Sequence, residues 1–189
     1  MSLTIADLEQ VQAEHPDWQM ELVNGKIIIT GPANIQSNQL CTELASQLRN
    51  WIKPRKLGRV FESSSCFVLP GTDLRAPAIS LVIEEGLRRC PPSCSDLVPD
   101  LVVEVQAQAN QNQSLHKKMQ QFLELGVQIG LLLNPGKRTV TVYRPTGEPI
   151  VFEDGDILTL PDLLPGWELT VSNLWPTDLE PDLWAPVGE

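Results

Sequence analysis

The sequence predicts an α/β chain with a mixed central β-sheet flanked by helices, and three observations lead there. Apolar residues recur at helical spacing over residues 35–52 and again over 114–125. Short runs rich in Val, Ile and Leu separate and follow these helices. One of them, Leu101 to Gln106, is almost continuously apolar, as a strand covered on both faces would be. Strands alternating with two long helices favour helix layers packed on a sheet.

Taken in order, residues 2–14 read as a short helix capped by Ser2 or Thr4, with Leu3, Leu8 and Val11 inward. Residues 18–23 and 26–30 flank Asn24-Gly25, a pair that accepts positive φ at both positions of a tight hairpin turn. The helix from Ile35 to Ile52 carries Leu40, Leu44, Leu48, Trp51 and Ile52 on one face, and Pro54 is expected to end it. Strands follow at 59–62, 66–69 and 79–83. Residues 84–98, rich in Pro, Cys, Ser and charge, read as a surface excursion. After the central strand a polar stretch, 108–113, leads to a helix over 114–125 closed by Gly126. Further strands are expected at 127–133, 139–144 and 149–153, joined by the Pro135-Gly136 and Thr146-Gly147 turns.

The 189 residues are 42% apolar, enough for one full-sized core. The simplest organisation is one domain over residues 1–175 and an acidic, Pro-rich tail over 176–189. Residues 1–20 include Asp7, Glu9, Glu14 and Asp17 and no sustained apolar block. No run approaches the roughly 20 apolar residues of a membrane span. A cytoplasmic protein with no membrane partner is therefore expected. The net charge of −10 is wrong for a dedicated sequence-independent nucleic-acid binder, so any DNA contact has to come from a local patch. Cys41, Cys66, Cys90 and Cys94 are unevenly spaced. Cys90 and Cys94 suit half a zinc site or a redox bridge, but without a second Cys/His pair free thiols are the simpler reading.

Glu104 is the residue with the most to explain. A carboxylate in the middle of a buried strand needs a metal, a cation or hydrogen bonds around it. Glu104 and Gln106 share a strand face about 7 Å apart. An acid followed two residues later by a polar group is the spacing a metal-dependent nuclease uses, although Gln106 supplies no positive charge. Lys118 stands at the edge of the helical stripe formed by Leu115, Met119, Phe122 and Leu123, while Lys117 points away. Lys118 either reaches over the sheet end to supply that charge or simply lays its stem on the core. Without a metal, a Glu104–Lys118 ion pair would satisfy the carboxylate.

The ordered string of motifs resembles a bacterial endonuclease family, a branch of the PD-(D/E)XK restriction-endonuclease-like superfamily. Its pieces are Glu21 to Lys26, Leu57 to Ser64, Arg75-Ala-Pro77, Pro99 to Glu104, Lys118 with Phe122 and Gly126, Leu133 to Pro135, and Val142 to Pro145. The resemblance spans about residues 18–175. It implies a restriction-endonuclease-like core, frequent assembly as a homodimer, and Mg²⁺- or Mn²⁺-dependent cleavage of DNA. The family's acidic positions fall on Glu21, Ala78 and Glu104, and its lysine on Lys118. Glu104 and Glu21 would be the metal ligands, with Lys118 and Gln106 completing the catalytic set. Ala78 departs from that pattern, because a carboxylate is expected there. Asn134 and Phe122 also differ from the usual Asp and Tyr.

Two functions follow. One is a metal-dependent nuclease impaired by Ala78. The other is a catalytically inactive nuclease-fold protein acting as a binding or assembly partner. Arg49, Lys53, Arg55, Lys56 and Arg59 place five of the fourteen cationic residues within eleven positions. They are either a phosphate-contacting edge for DNA or a helix C-terminus that favours cations. His15 and His116 lack nucleophile-spaced partners, and Ser63 to Ser65 reads as turn chemistry.

Overall fold

A computed structural model of the chain describes residues 2–30, 34–71, 73–89, 97–106 and 112–175. Cys90 and Cys94, the stretch 107–111 and the tail from Pro176 lie outside those residues. The first helix, α1 (Ile5–Glu14), starts later than the sequence suggested. Thr4 is its cap, in a reciprocal box with Asp7 that satisfies two N-terminal donors. Leu8 is buried as expected, but Leu3 precedes the helix and is 39% exposed. The hairpin β1 (Gln19–Val23) and β2 (Lys26–Thr30) turns through Asn24 and Gly25, both at positive φ, with Val23 opposite Lys26.

The long helix α2 (Ile35–Arg55) passes through Pro54 and ends one residue later, capped by Lys56 in the left-handed region. Proline is tolerated there because the Asn50 carbonyl that loses its partner belongs to an exposed residue near the helix end. Strands β3 (Gly58–Glu62), β4 (Phe67–Leu69), β5 (Asp73–Arg75) and β6 (Ile79–Ile83) follow. The expected surface excursion over 84–98 begins with a short helix, α3 (Glu84–Arg89), and its residues 90–96 lie outside the described chain. The central β7 (Leu101–Val105) leads to α4 (Asn112–Glu124), then β8 (Ile129–Asn134), β9 (Thr139–Tyr143) and β10 (Ile150–Phe152). Two three-residue strands not evident from the sequence, β11 (Ile157–Thr159) and β12 (Glu168–Thr170), pair with each other. A 3-10 turn, Val171–Leu174, closes the described chain.

The architecture is the mixed α/β sandwich that the sequence predicted. Six strands run in the order β10-β9-β8-β7-β6-β3, with only β7 and β8 parallel. Strand alternation sorts the side chains. Leu101 and Val103 join Leu40, Leu44, Leu48 and Ile52 of α2 on one face, while Val102 and Leu132 meet Met119 and Phe122 of α4 on the other. The second sheet, β2-β1-β5-β4, packs Met20, Leu22 and Leu74 on Leu8 of α1. Residues 76–78 are the bridge from this sheet to β6, and that bridge positions the site.

Gly58 shows how tightly β3 seats on β6. A Cβ at this position would lie 2.2 Å from the Val82 carbonyl oxygen, a backbone atom that cannot swing aside. Gly58→Ala is therefore expected to lower stability by about 1–3 kcal/mol, the usual cost of overpacking. A denaturant midpoint unchanged from the parent would refute that reading.

Candidate active site

Three elements deliver the predicted residues to one place. Glu104 sits near the C-terminal end of β7, on the face covered by α4, and is 9% exposed. Lys118 comes from the second turn of α4. Its ammonium lies 2.7 Å from Glu104 Oε1 and 3.1 Å from Glu21 Oε2. Glu21, 4% exposed, arrives from β1, and its Oε1 accepts a hydrogen bond from the Ala76 N–H at 2.9 Å. Lys118 thus forms a buried bridge between two carboxylates rather than resting its stem on the core. The contact with Glu104 is close but poorly angled for a hydrogen bond, which leaves that carboxylate oxygen short of a well-aligned donor.

Ala78 adjoins this pocket. It is the half-buried bend residue immediately before β6, whose first residue, Ile79, stands opposite Val103 on the antiparallel β7, next to Glu104.

A second buried pair lies beside the first, and sequence reasoning read it as a loop. Asp73 and Arg75 form an ion pair at 2.9 Å, with Arg75 only 2% exposed. Asp73 also accepts from the Asn24 N–H, and Arg75 donates to Gln121 of α4. The Arg75 guanidinium and the Lys118 ammonium each stand 5.7 Å from the Phe122 ring, within cation–π range. The available signal was the two-residue spacing of Asp73 and Arg75, which puts both on one face once the segment is extended. Asp73 is thus committed elsewhere and does not replace the missing acid. Asp100 is committed too, at the far end of β7, where it accepts from the Ile83 N–H and the Gln128 amide. Gln106 accepts from Asn134 Nδ2 at 2.8 Å, so Asn134 works as a structural amide.

The donor set does not fit a resident divalent ion. Among the described residues, no group of three or more His, Cys, Asp and Glu side chains is placed to hold a metal. Of the two acids that converge, both serve Lys118 and one also serves a backbone N–H.

Burial pushes the Glu104 carboxyl above its ordinary range, with the charge of Glu21 adding to the effect and Lys118 opposing it. Burial works against the charge on Lys118, but the two carboxylates outweigh it and hold the ammonium above its ordinary 10.5. A raised lysine pKa means the folded chain keeps its proton after the unfolded chain has lost it. That stabilisation is fully present below pH 10.5 and is lost as pH rises through the folded value. The stability gap between the parent and Lys118→Met should therefore be level between pH 7 and 10.5 and narrow above. Denaturant titrations across that range test it, and a gap that widens at high pH would contradict it.

His116 of α4 and Tyr143 of β9 contact each other edge to face, with a hydrogen bond between the hydroxyl and the ring nitrogen. Cys41 is half-buried and Cys66 exposed, both as free thiols. No helix among the described residues is long and apolar enough to cross a membrane.

Comparison with known proteins bears on this geometry. A family model named Uma2 and described as "Putative restriction endonuclease" matches residues 5–172. The solved structure of a "putative nuclease belonging to DUF820" from Anabaena variabilis ATCC 29413 is similar in fold. It is 25% identical, with a TM-score of 0.73, over 82% of this chain and 88% of that one. No curated protein matches the chain.

Proposed function

The chain belongs to the Uma2 family of putative restriction endonucleases, and on that premise we propose that it is a PD-(D/E)XK-type DNA nuclease whose metal-dependent phosphodiester hydrolysis is impaired. Fold and family support the nuclease reading. The observation that carries the impairment is Ala78, at the end of β6 that adjoins Glu104, where the resemblance calls for an acid beside the pocket that Glu21 and Lys118 complete. Mg²⁺ needs near-octahedral oxygen coordination and gives up its water reluctantly. Two carboxylates already engaged by an ammonium are a poor substitute for three. On this reading Glu104 and Glu21 keep the metal-ligand positions. Lys118 keeps the position from which positive charge would stabilise a phosphoryl group. Gln106 offers an amide with no charge. Assembly as a homodimer belongs to the same proposal.

A second reading is favoured by one specific feature. The Lys118 ammonium pairs with both acids without a metal, as a nuclease-fold protein retained as a non-cleaving binding or assembly partner would require. Cleavage of supercoiled plasmid in Mg²⁺ or Mn²⁺ separates the two. For the impaired nuclease, the parent should cut slowly, Ala78→Asp at least tenfold faster, and Glu104→Ala not at all. A parent that cuts as fast as Ala78→Asp, with Glu104→Ala inactive, would overturn the impairment. Failure of both parent and Ala78→Asp to cut would favour the non-cleaving partner.

A further inference from the structure

We propose that the basic groove beside α2 and β3 is a binding site for the duplex DNA backbone, separate from the Glu104 pocket. The proposal rests on the reading that this family acts on DNA. The groove encloses about 670 Å³, and among the described residues Arg49, Lys53, Lys56 and Arg59 line it together with one acid, Glu84. All four cationic side chains are exposed. The segment 49–59 has five cationic residues and no acid, so it carries +5 and the other 178 residues carry −15. On so acidic a chain, four cations converging on one concavity are an arrangement that needs a polyanion or a structural reason.

The structural reason accounts for only part of it. Cations near a helix C-terminus complement the helix dipole, and Lys53 and Arg55 occupy the last turn of α2. Arg55 is further explained by stacking on Trp51 at 3.4 Å. The dipole effect falls off within one turn, however, and Arg59 lies on β3. Arg49 lies more than a turn upstream. Its contact with Glu62, at 3.8 Å between two largely exposed side chains, is too weak to fix it. A row of phosphates accounts for all four, because backbone contacts come from exposed Lys and Arg on a positioned surface and ask for no base-reading module.

The groove is at the opposite end of the sheet from the pocket. Gly58 pairs with Ile83 at one end of β6, whereas Ala78 precedes its other end. Five residues of strand separate them, roughly 17 Å. DNA held here would therefore not depend on the metal-binding competence of the Glu104 site.

Fluorescence anisotropy with a 20-base-pair duplex, over a series of salt concentrations, tests the proposal on the full chain. Four phosphate contacts give a slope of log K against log salt of about −3.6. Lys53→Ala combined with Arg59→Ala should lower affinity at least tenfold at low salt and cut that slope by about half. Lys26→Ala combined with Lys137→Ala removes the same charge from exposed positions outside the groove and should change affinity by less than twofold. Circular dichroism melting confirms that each variant is folded. Equal losses in the two double variants would overturn the assignment, as would undetectable DNA binding by the parent or binding to phosphatidylserine vesicles in place of DNA. Plasmid cleavage by Ala78→Asp is read separately, so loss of the groove assignment leaves the nuclease reading intact.

Discussion

Lys118→Met is expected to destabilise the fold by about 3–5 kcal/mol, because it strands two buried carboxylates that now share one ammonium. Glu104 is hit hardest. It is buried opposite Leu132 of β8, and its ion pair is with Lys118. Glu21 keeps the Ala76 N–H and suffers less. Such a loss is a large share of the 5–15 kcal/mol that holds a typical domain folded. Adding Glu104→Gln to Lys118→Met removes the stranded charge and should recover most of it, because replacing both members of a buried pair costs far less than removing one. Chemical denaturation of the two single variants and the double variant measures the coupling. A Lys118→Met midpoint within error of the parent would show that the ammonium is not the partner of the acids.

Ala78→Asp should behave in the opposite sense in two solutions. In EDTA the new carboxylate would stand at a half-buried position beside two acids whose cation is already shared. A loss of about 1–3 kcal/mol is expected, in the range of buried polar groups left unpaired. In Mn²⁺ the same variant gains a third ligand, and an ion present at a hundred times its dissociation constant stabilises by about 2.7 kcal/mol. For a chain of this size that is a rise in Tm of roughly 5–11 °C. The parent's Tm should hardly move between the two solutions. A variant as stable as the parent in EDTA and indifferent to Mn²⁺ would show that residue 78 does not stand beside the acids.

Much of this was legible before any coordinates. The nearly continuous apolar run Leu101 to Gln106 marked a buried strand with Glu104 in it, and the stripe on α4 put Lys118 at its edge. The structure joins those two side chains at 2.7 Å. The convergence of Glu21 came from the family resemblance, since a residue on a distant hairpin has no local signal tying it to β7. Asp73 and Arg75 were missed for a local reason. A three-residue strand bracketed by Gly71 and Pro77 has the composition of a turn, and burial of the pair depends on α4 arriving from elsewhere in the chain. The extension of α2 through Pro54 was missed because the rule against proline assumes an interior carbonyl, and Asn50 is at the exposed end. Strands β11 and β12 are too short to show periodicity, and each is stabilised by the other.

The bridge also bears on how the two acids stay folded into the interior. One ammonium serves both and cuts their combined charge from −2 to −1. Phe122 then presents its ring face to both Lys118 and Arg75.

Calorimetric titration of Mn²⁺ into the purified parent and into Ala78→Asp, at equal concentrations and neutral pH, tests most directly the claim that the pocket lacks one ligand for a cation. The parent should give no resolvable binding heat, and the variant should give a one-site isotherm that Glu104→Ala abolishes. Saturable, Glu104-dependent binding by the parent, no weaker than by the variant, would contradict the account.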